Sequence, residues 1–514
     1  MTNFQHIQKN VFSSVYVKIF SLILSFALRS VMLYTIGVEY IGLNGLFQSI
    51  FAFLNIANLG LSSAIVYLMY RPIAEDNTDA VCALLNYLRH FYRMVGIFVL
   101  SVGLILIPFL PHFVKDSYPK DIQMTIVYLI LLVNEVIGYF FFAYRETLFT
   151  ASQRVDFLNN VTLGIHILLT TTQMILLLLY RNFYLYCIVI PLMAIIRNLV
   201  IAAASYKAYP QYVCRGKLSP EQKDSLHKQT AGLLISQVSG RLTYDLDNII
   251  ISAFLGLTIL GKYQNYALIS AQLTAFVGLL SPSLVPSIGN SLVTETKEKN
   301  FENMNTYQFL YMWLNGWITA CLVCLYQPFM RFWVGKDMML PDYMIPVFGL
   351  YYITLKMDAV GHQYRTAAGL WWENRRHALF GGIFNVVMDI ILVQSVGIAG
   401  VMLSNIIYQI FIDTFWGDAI LFRNCFPEYN RFEYERKRFF YLAVIIISCC
   451  LCWFACKAFP IIDERNFTAV LMLLIRAAVC TILTNGFMWL LYHQMPEYHR
   501  AASYVKRLFS RNQQ

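Results

Sequence analysis

Apolar runs of about 20 residues, bounded by charged or Pro/Gly-containing breaks, recur about fourteen times along the 514 residues of this chain. A run of that length crosses the hydrocarbon of a bilayer as an α-helix, so the series predicts an all-α polytopic membrane protein. The expected spans lie at about 11–36, 43–70, 91–110, 122–144, 157–180, 183–206, 230–255, 262–289, 307–330, 343–370, 378–396, 398–422, 439–458 and 467–492. Charged residues make up 13% of the chain, against roughly 25% for soluble domains, and no polar stretch is long enough for a separate soluble domain. The N-terminus has no short apolar core followed by a small-residue cleavage site, so the first run is expected to be a retained span.

Basic residues orient the spans. With the N-terminus in the cytoplasm, the even-numbered connections and both tails hold about 24 Lys and Arg, and the odd-numbered connections about 8. This bias places both termini in the cytoplasm and explains the net charge of +10 without nucleic-acid binding.

An internal repeat divides the series. Gly37-Val-Glu-Tyr-Ile-Gly42 after the first span matches Gly256-Leu-Thr-Ile-Leu-Gly261 after the seventh, at an offset of 219 residues. The same offset carries Lys18 onto Gln237, Ser25 onto Tyr244 and Arg29 onto Asn248. The expected organisation is therefore an N-terminal six-helix half (1–209), a cytoplasmic linker (210–229), a second six-helix half (230–425), and two added helices with a cytoplasmic tail (426–514). Six is even, so the halves are a parallel repeat about an axis along the membrane normal, which suits alternating access.

The first span carries the sharpest functional signal. Ser14, Lys18, Ser21, Ser25 and Arg29 recur at steps of three and four, one face of a helix. A charge at the bilayer centre costs roughly 2.5–3.5 kcal/mol even on the lenient insertion scale, so this face is expected to line a protein interior or a wet cavity that receives an anion. In the seventh span Arg241 and Asp245 stand four apart, either a self-neutralising bridge or a pair that switches between states. The Asp245-Leu-Asp247 pattern, inside an apolar helix, has no loop geometry for a nucleotide-bound metal. Lys356, Asp358, His362 and Arg365 crowd the tenth span, as a proton path or as a satisfied polar cluster between helices. Asn385 and Asp389, then Asn405, Gln409 and Asp413, form stripes of the kind that hydrogen-bond helices together, and His166 is expected to be a packing residue. The candidate substrate contacts are Lys18, Arg29, Arg241, Lys356 and Arg365; the candidate coupling-ion groups are Asp245, Asp358 and His362.

Eleven cysteines include Cys321-x-x-Cys324 and a group at Cys449, Cys450, Cys452 and Cys456. All lie in apolar helical segments without His or carboxylate company, so they read as small buried hydrophobes and no metal site is expected. Walker A, GxGxxG and HExxH motifs are absent, no connection could hold a catalytic domain, and neither enzyme activity nor a cofactor is expected.

Several stretches resemble a known family. Gly42-Leu-Asn-Gly-Leu-Phe-Gln-Ser-Ile50 running into Leu54-Asn-Ile-Ala-Asn-Leu-Gly-Leu-Ser-Ser-Ala-Ile65 resembles the second helix of bacterial polysaccharide repeat-unit (O-antigen and capsule) flippases, members of the multidrug/oligosaccharidyl-lipid/polysaccharide exporter superfamily. Asp247-Asn-Ile-Ile-Ile-Ser252, Gly261-Lys-Tyr-Gln-Asn-Tyr266, Tyr364-Arg-Thr-Ala-Ala-Gly-Leu-Trp-Trp-Glu-Asn-Arg375 and Gly397-Ile-Ala-Gly400 are similar to later helices of the same family, so the resemblance covers about residues 10–425. It implies export of an undecaprenyl-diphosphate-linked oligosaccharide across the bacterial cytoplasmic membrane, with Lys18, Arg29 and Arg241 best placed for the diphosphate and Lys356 and Arg365 behind them. Partners implied are membrane lipids, H+ or Na+ as coupling ion, and polysaccharide polymerase machinery. Fourteen spans is also the count of the related lipid II flippases, which leaves the substrate open between them; a multidrug exporter of the superfamily would want an acidic cavity instead.

Overall fold

A computed structural model describes residues 3–55, 61–115, 118–218, 245–278, 281–462 and 465–511, with 220, 223, 226, 241 and 243. Every described element is helical. In the first compact unit, residues 1–265, these are α1 (Asn3–Thr35), α2 (Val38–Leu54), α3 (Leu61–Ala74), α4 (Thr78–Leu106), α5 (Met124–Phe140), α6 (Glu146–Ala151), α7 (Val155–Tyr180), α8 (Phe183–Ala208), α9 (Leu246–Leu255) and the start of α10 (Leu257–Val277). The second unit, residues 266–514, holds the rest of α10, then α11 (Ser281–Thr294), α12 (Lys297–Trp333), α13 (Met344–Met357), α14 (Ala359–Ala367), α15 (Trp371–Val396), α16 (Ile398–Ile407), a π-helical stretch Tyr408–Thr414, α17 (Phe415–Cys425), α18 (Arg431–Cys456), α19 (Phe467–Tyr492) and α20 (Pro496–Arg511).

Among the described residues nine helices are long and apolar enough to cross a membrane, and α5 with Ala143–Ala151, bent by 48°, makes a tenth. The remaining expected spans fall on shorter or more polar helices. Span 43–70 is α2 and α3, 262–289 is α10 and α11, and 343–370 is broken at Asp358 into α13 and α14. Of span 230–255 only its end is described, so Gln237 and Tyr244 of the repeat, and much of the expected 210–229 linker, lie outside the described residues.

The repeat becomes a contact inside the first unit. Gly37 and Gly256 share one backbone conformation, φ 105°, ψ 176° and φ 90°, ψ 169°, which breaks one helix and starts the next. Such φ values strain any side chain with a Cβ, so glycine recurs at both places. The following helices then cross reciprocally: a Cβ on Gly42 would strike the Leu257 carbonyl, and one on Gly261 the Val38 carbonyl. Val38 and Leu257, like Gly42 and Gly261, are 219 residues apart, so the crossing has the self-complementary form of a two-fold contact. Glu39 and Thr258, again 219 apart, meet across it at 3.5 Å, and Asn248 donates to Ser49 at 2.8 Å beneath it.

In the second unit the two added helices seat on α12. Gly316 lets Ile445 of α18 and Met488 of α19 approach so closely that a Cβ there would lie 2.6 Å from each. Trp313 and Trp317 of α12 donate to Asn485 and Thr481 of α19 at 2.8 and 3.0 Å, and Phe309, Met312, Ile353, Tyr441, Ile445 and Met488 form the core between them. Asn385 donates to Ser404 at 2.9 Å and Thr354 donates to Gln409 at 2.6 Å, so these polar stripes join helices.

Candidate functional site

The polar stripe of α1 divides by angle. Ser13 accepts from Asn159 at 2.9 Å, Tyr16 donates to Asn160, and Ser21 meets His166 Nδ1 at 3.3 Å, which seats one edge of the stripe on α7 and gives His166 its packing role. Ser25 returns its hydroxyl proton to the Ser21 carbonyl at 2.7 Å. Lys18 and Arg29 lie about 60–80° further round the helix. Both are half-buried, Arg29 within electrostatic range of Tyr186 on α8, and among the described residues neither forms an ion pair.

The other sequence candidates separate into paired and unpaired groups. Arg241 Nη1 donates to Asp245 at 2.8 Å, with 35% and 23% of the side chains exposed, so here the bridge is closed. Arg365 is fully engaged. Asp358 ends α13 at φ −93°, ψ 4°, and its carboxylate turns to receive the Arg365 guanidinium on both oxygens, at 3.2 and 2.5 Å. Two glycines shape the cradle. A Cβ on Gly361 would lie 2.5 Å from Asp358, and one on Gly417 would lie 2.9 Å from the guanidinium carbon of Arg365. Arg365 is thus not a free cation in this conformation, and Asp358 not a free carboxylate. His362, whose backbone N–H bonds the Asp358 carbonyl at 2.8 Å, sits beside this pair. A second pair that the sequence did not suggest, Asp418 with Arg438 at 3.0 Å, is wholly buried, and Tyr434 lies under the Arg438 guanidinium. Lys356 is buried against the Tyr352 ring at 5.6 Å, without an ion pair among the described residues.

Two large cavities stand apart from these positions. The one in the first unit, about 950 Å3, is walled by Tyr67, Tyr70, Tyr92 and Tyr139, by Asn55, Asn134 and Asn198, and by Glu135, Glu146 and Arg197. Asn55 organises its floor: it donates to Glu135 and accepts from Tyr139 at 2.6 Å, while Asn134 donates to Glu135 at 3.2 Å. Glu146 is held by Arg197 at 2.9 Å. Sequence reasoning passed over Glu135, yet a signal was present: it is the one carboxylate in the 122–144 span, and an intramembrane acid is a functional candidate by default.

The cavity of the second unit, about 1030 Å3, lies among α12, α13, α18 and α19. Its walls are apolar, with Val323, Pro328, Ile345, Ile353, Ile445 and Trp453, and among the described residues its polar groups include the cations Arg331, Lys457 and Arg476 and the carboxylate Asp342. Lys457 sits over the Trp453 ring at 3.6 Å, and Arg476 donates to the Phe459 carbonyl.

No protein-family model matches this chain, and neither does any curated protein. Solved structures do. An inward-closed structure of the lipid II flippase MurJ superposes with a TM-score of 0.66 at 14% identity, over 95% of this chain and 99% of that one. An inward-facing multidrug-resistance MATE transporter of the MOP superfamily gives 0.63 at 12% identity, over 80% of this chain and 98% of that one. A mutant of the Vibrio cholerae MATE transporter VcmN gives 0.54 at 15% identity, over 82% and 98%. The chain has the fold these transport proteins share, as an all-α multi-pass membrane protein of the two-lobe type with added helices.

Proposed function

We propose that this protein moves a polyprenyl-diphosphate-linked saccharide between the leaflets of the cytoplasmic membrane by alternating access. The observation that carries this reading is the second-unit cavity, whose apolar walls suit a prenyl chain and whose Arg331, Lys457 and Arg476 suit a diphosphate. Lys18 and Arg29 in the first unit, half-buried, and Lys356 in the second, buried, each without a carboxylate partner among the described residues, supply further positive charge. The likeness to a lipid II flippase over nearly the whole chain supports a lipid-linked substrate, with lipid II itself and an undecaprenyl-diphosphate oligosaccharide as the two candidates. An interior-negative potential of about 100 mV favours outward travel of a doubly charged head by roughly 4–5 kcal/mol, so the potential alone can drive export.

A second reading has its own observation. The first-unit cavity joins four tyrosines to Glu135 and Glu146, a lining that suits an organic cation and the work of a multidrug exporter. Purified protein in nanodiscs separates the two. Binding of lipid II or of an undecaprenyl-diphosphate glycan, weakened by Arg331→Ala and Arg476→Ala, supports the flippase reading. Binding of a lipophilic cation alone, weakened by Glu135→Gln, replaces it with the exporter.

A further inference from the structure

Three cysteine sulfurs, each from a different helix of the second unit, meet at one point. Cys324 of α12, Cys456 at the end of α18 and Cys480 of α19 are all buried, and their Sγ atoms all lie within 4.8 Å of one another. The Cys456 and Cys480 sulfurs are 3.8 Å apart. A metal held at about 2.3 Å by three sulfurs in a plane requires sulfur separations of about 4.0 Å, so one edge of the triangle is already in place.

We propose that Cys324, Cys456 and Cys480 form a trigonal thiolate site for a soft monovalent cation, Cu(I) or its analogue Ag(I). Cys321 and Cys452 also lie beside the Cys480 sulfur, but among the described residues it is Cys324, Cys456 and Cys480 whose Sγ atoms all lie within 4.8 Å of one another, and three thiolates with no imidazole or carboxylate suit a soft d10 ion, whereas zinc favours four ligands. Binding releases the thiol protons and leaves a site more negative than its ion. Arg476 and Lys457, which share the wall of the second-unit cavity with Cys324 and Cys456, stand where they offset that charge. The cavity also gives the ion a route in. Once bound, the ion ties α18 and α19 to α12, adding to the cysteine packing there and to the hydrogen bonds of Cys452 with Thr484 and of Trp317 with Thr481. This inference is independent of the transported substrate.

The test is anaerobic titration of the purified full-length chain with Cu(I) against a chromophoric Cu(I) chelator, followed by X-ray absorption of the loaded protein. The expected result is one Cu(I) per chain with three sulfurs at about 2.3 Å. Cys480→Ser and Cys480→Ala, both checked for a monodisperse folded state, should weaken binding roughly 100-fold or more, while Cys450→Ser, at an exposed cysteine outside the triad, should leave it unchanged. Cu(I) should raise the thermal midpoint of the wild type and not that of the Cys480 variants. No stoichiometric uptake by the wild type, uptake indifferent to Cys480, or a Cys456–Cys480 disulfide in freshly isolated protein in place of metal binding would each overturn the proposal.

Discussion

Gly42→Ala should force apart the crossing of α2 and α10. The new methyl would lie 2.9 Å from the Leu257 carbonyl carbon, closer still to its oxygen, and 3.2 Å from the Gly261 nitrogen, where unstrained contacts fall at about 3.5–4.0 Å. These neighbours are backbone on a second helix, with no flexible tip to swing away, so the helices must separate by about 1 Å. Overpacking of this kind costs about 1–3 kcal/mol, which shifts an equilibrium between crossed and parted arrangements by about 5- to 150-fold. The readout is the rate of disulfide formation between Glu39→Cys and Thr258→Cys, whose native side chains meet across the crossing at 3.5 Å, in a background freed of native cysteines. Gly42→Ala should slow cross-linking by that factor, and Gly261→Ala, whose Cβ would strike Val38, should do the same. Gly45→Ala is the control: its Cβ would meet only the Gln264 side chain, at 3.0 Å, and that amide can turn away at the loss of one hydrogen bond to Asn248, about 1 kcal/mol. Equal cross-linking rates in Gly42→Ala and Gly45→Ala would refute the reasoning.

The remaining predictions concern charge. Arg29→Ala should abolish transport, read as surface glycan display, without lowering membrane abundance, because no described carboxylate is stranded by its loss; Arg29→Lys should retain part of the activity, keeping charge without the bidentate fork. Asp358→Asn should cost about 3–5 kcal/mol in thermal unfolding by leaving Arg365 buried and unpaired, whereas Asp358→Leu combined with Arg365→Met should recover most of that loss. Glu135→Gln should leave abundance unchanged, since an amide oxygen still accepts from Asn55, and should weaken lipophilic-cation binding about tenfold while sparing lipid-linked substrate; loss of lipid-linked transport in this variant would move the substrate site into the first-unit cavity.

What the sequence disclosed, and what it withheld, follows from the range of each physical constraint. The repeat could be seen because Gly37 and Gly256 answer a local demand, a positive φ, and Gly42 and Gly261 a contact that backbone imposes on backbone. The stripe of Lys18 and Arg29 was visible because helical periodicity places side chains within one helix, although it could not tell that the serine edge would turn to α7. In the tenth span the same periodicity brought Asp358, His362 and Arg365 together at steps of four and three; the regular helix breaks at Asp358, which the sequence did not disclose, yet the His362 N–H still bonds the Asp358 carbonyl and the carboxylate meets the guanidinium seven residues ahead.

Pairs between helices lie outside any local rule. Asp418 and Arg438 find each other across the turn between α17 and α18, and Cys480 joins Cys324 over 156 residues of chain, so neither the deepest ion pair nor the sulfur triad had a spacing to reveal it. This bears on function. Arg241, Arg365 and Arg438 are each neutralised by a carboxylate, whereas Lys18, Arg29 and Lys356 have no ion pair among the described residues. Of these, Lys356 is buried and Lys18 and Arg29 are half-buried, and a cation within a membrane span is costly unless water, a lipid head group or a ligand answers its charge. The Asp418–Arg438 pair ties α17 to α18, and on the proposed function Lys18, Arg29 and Lys356 are the positions at which an anionic head group would be felt.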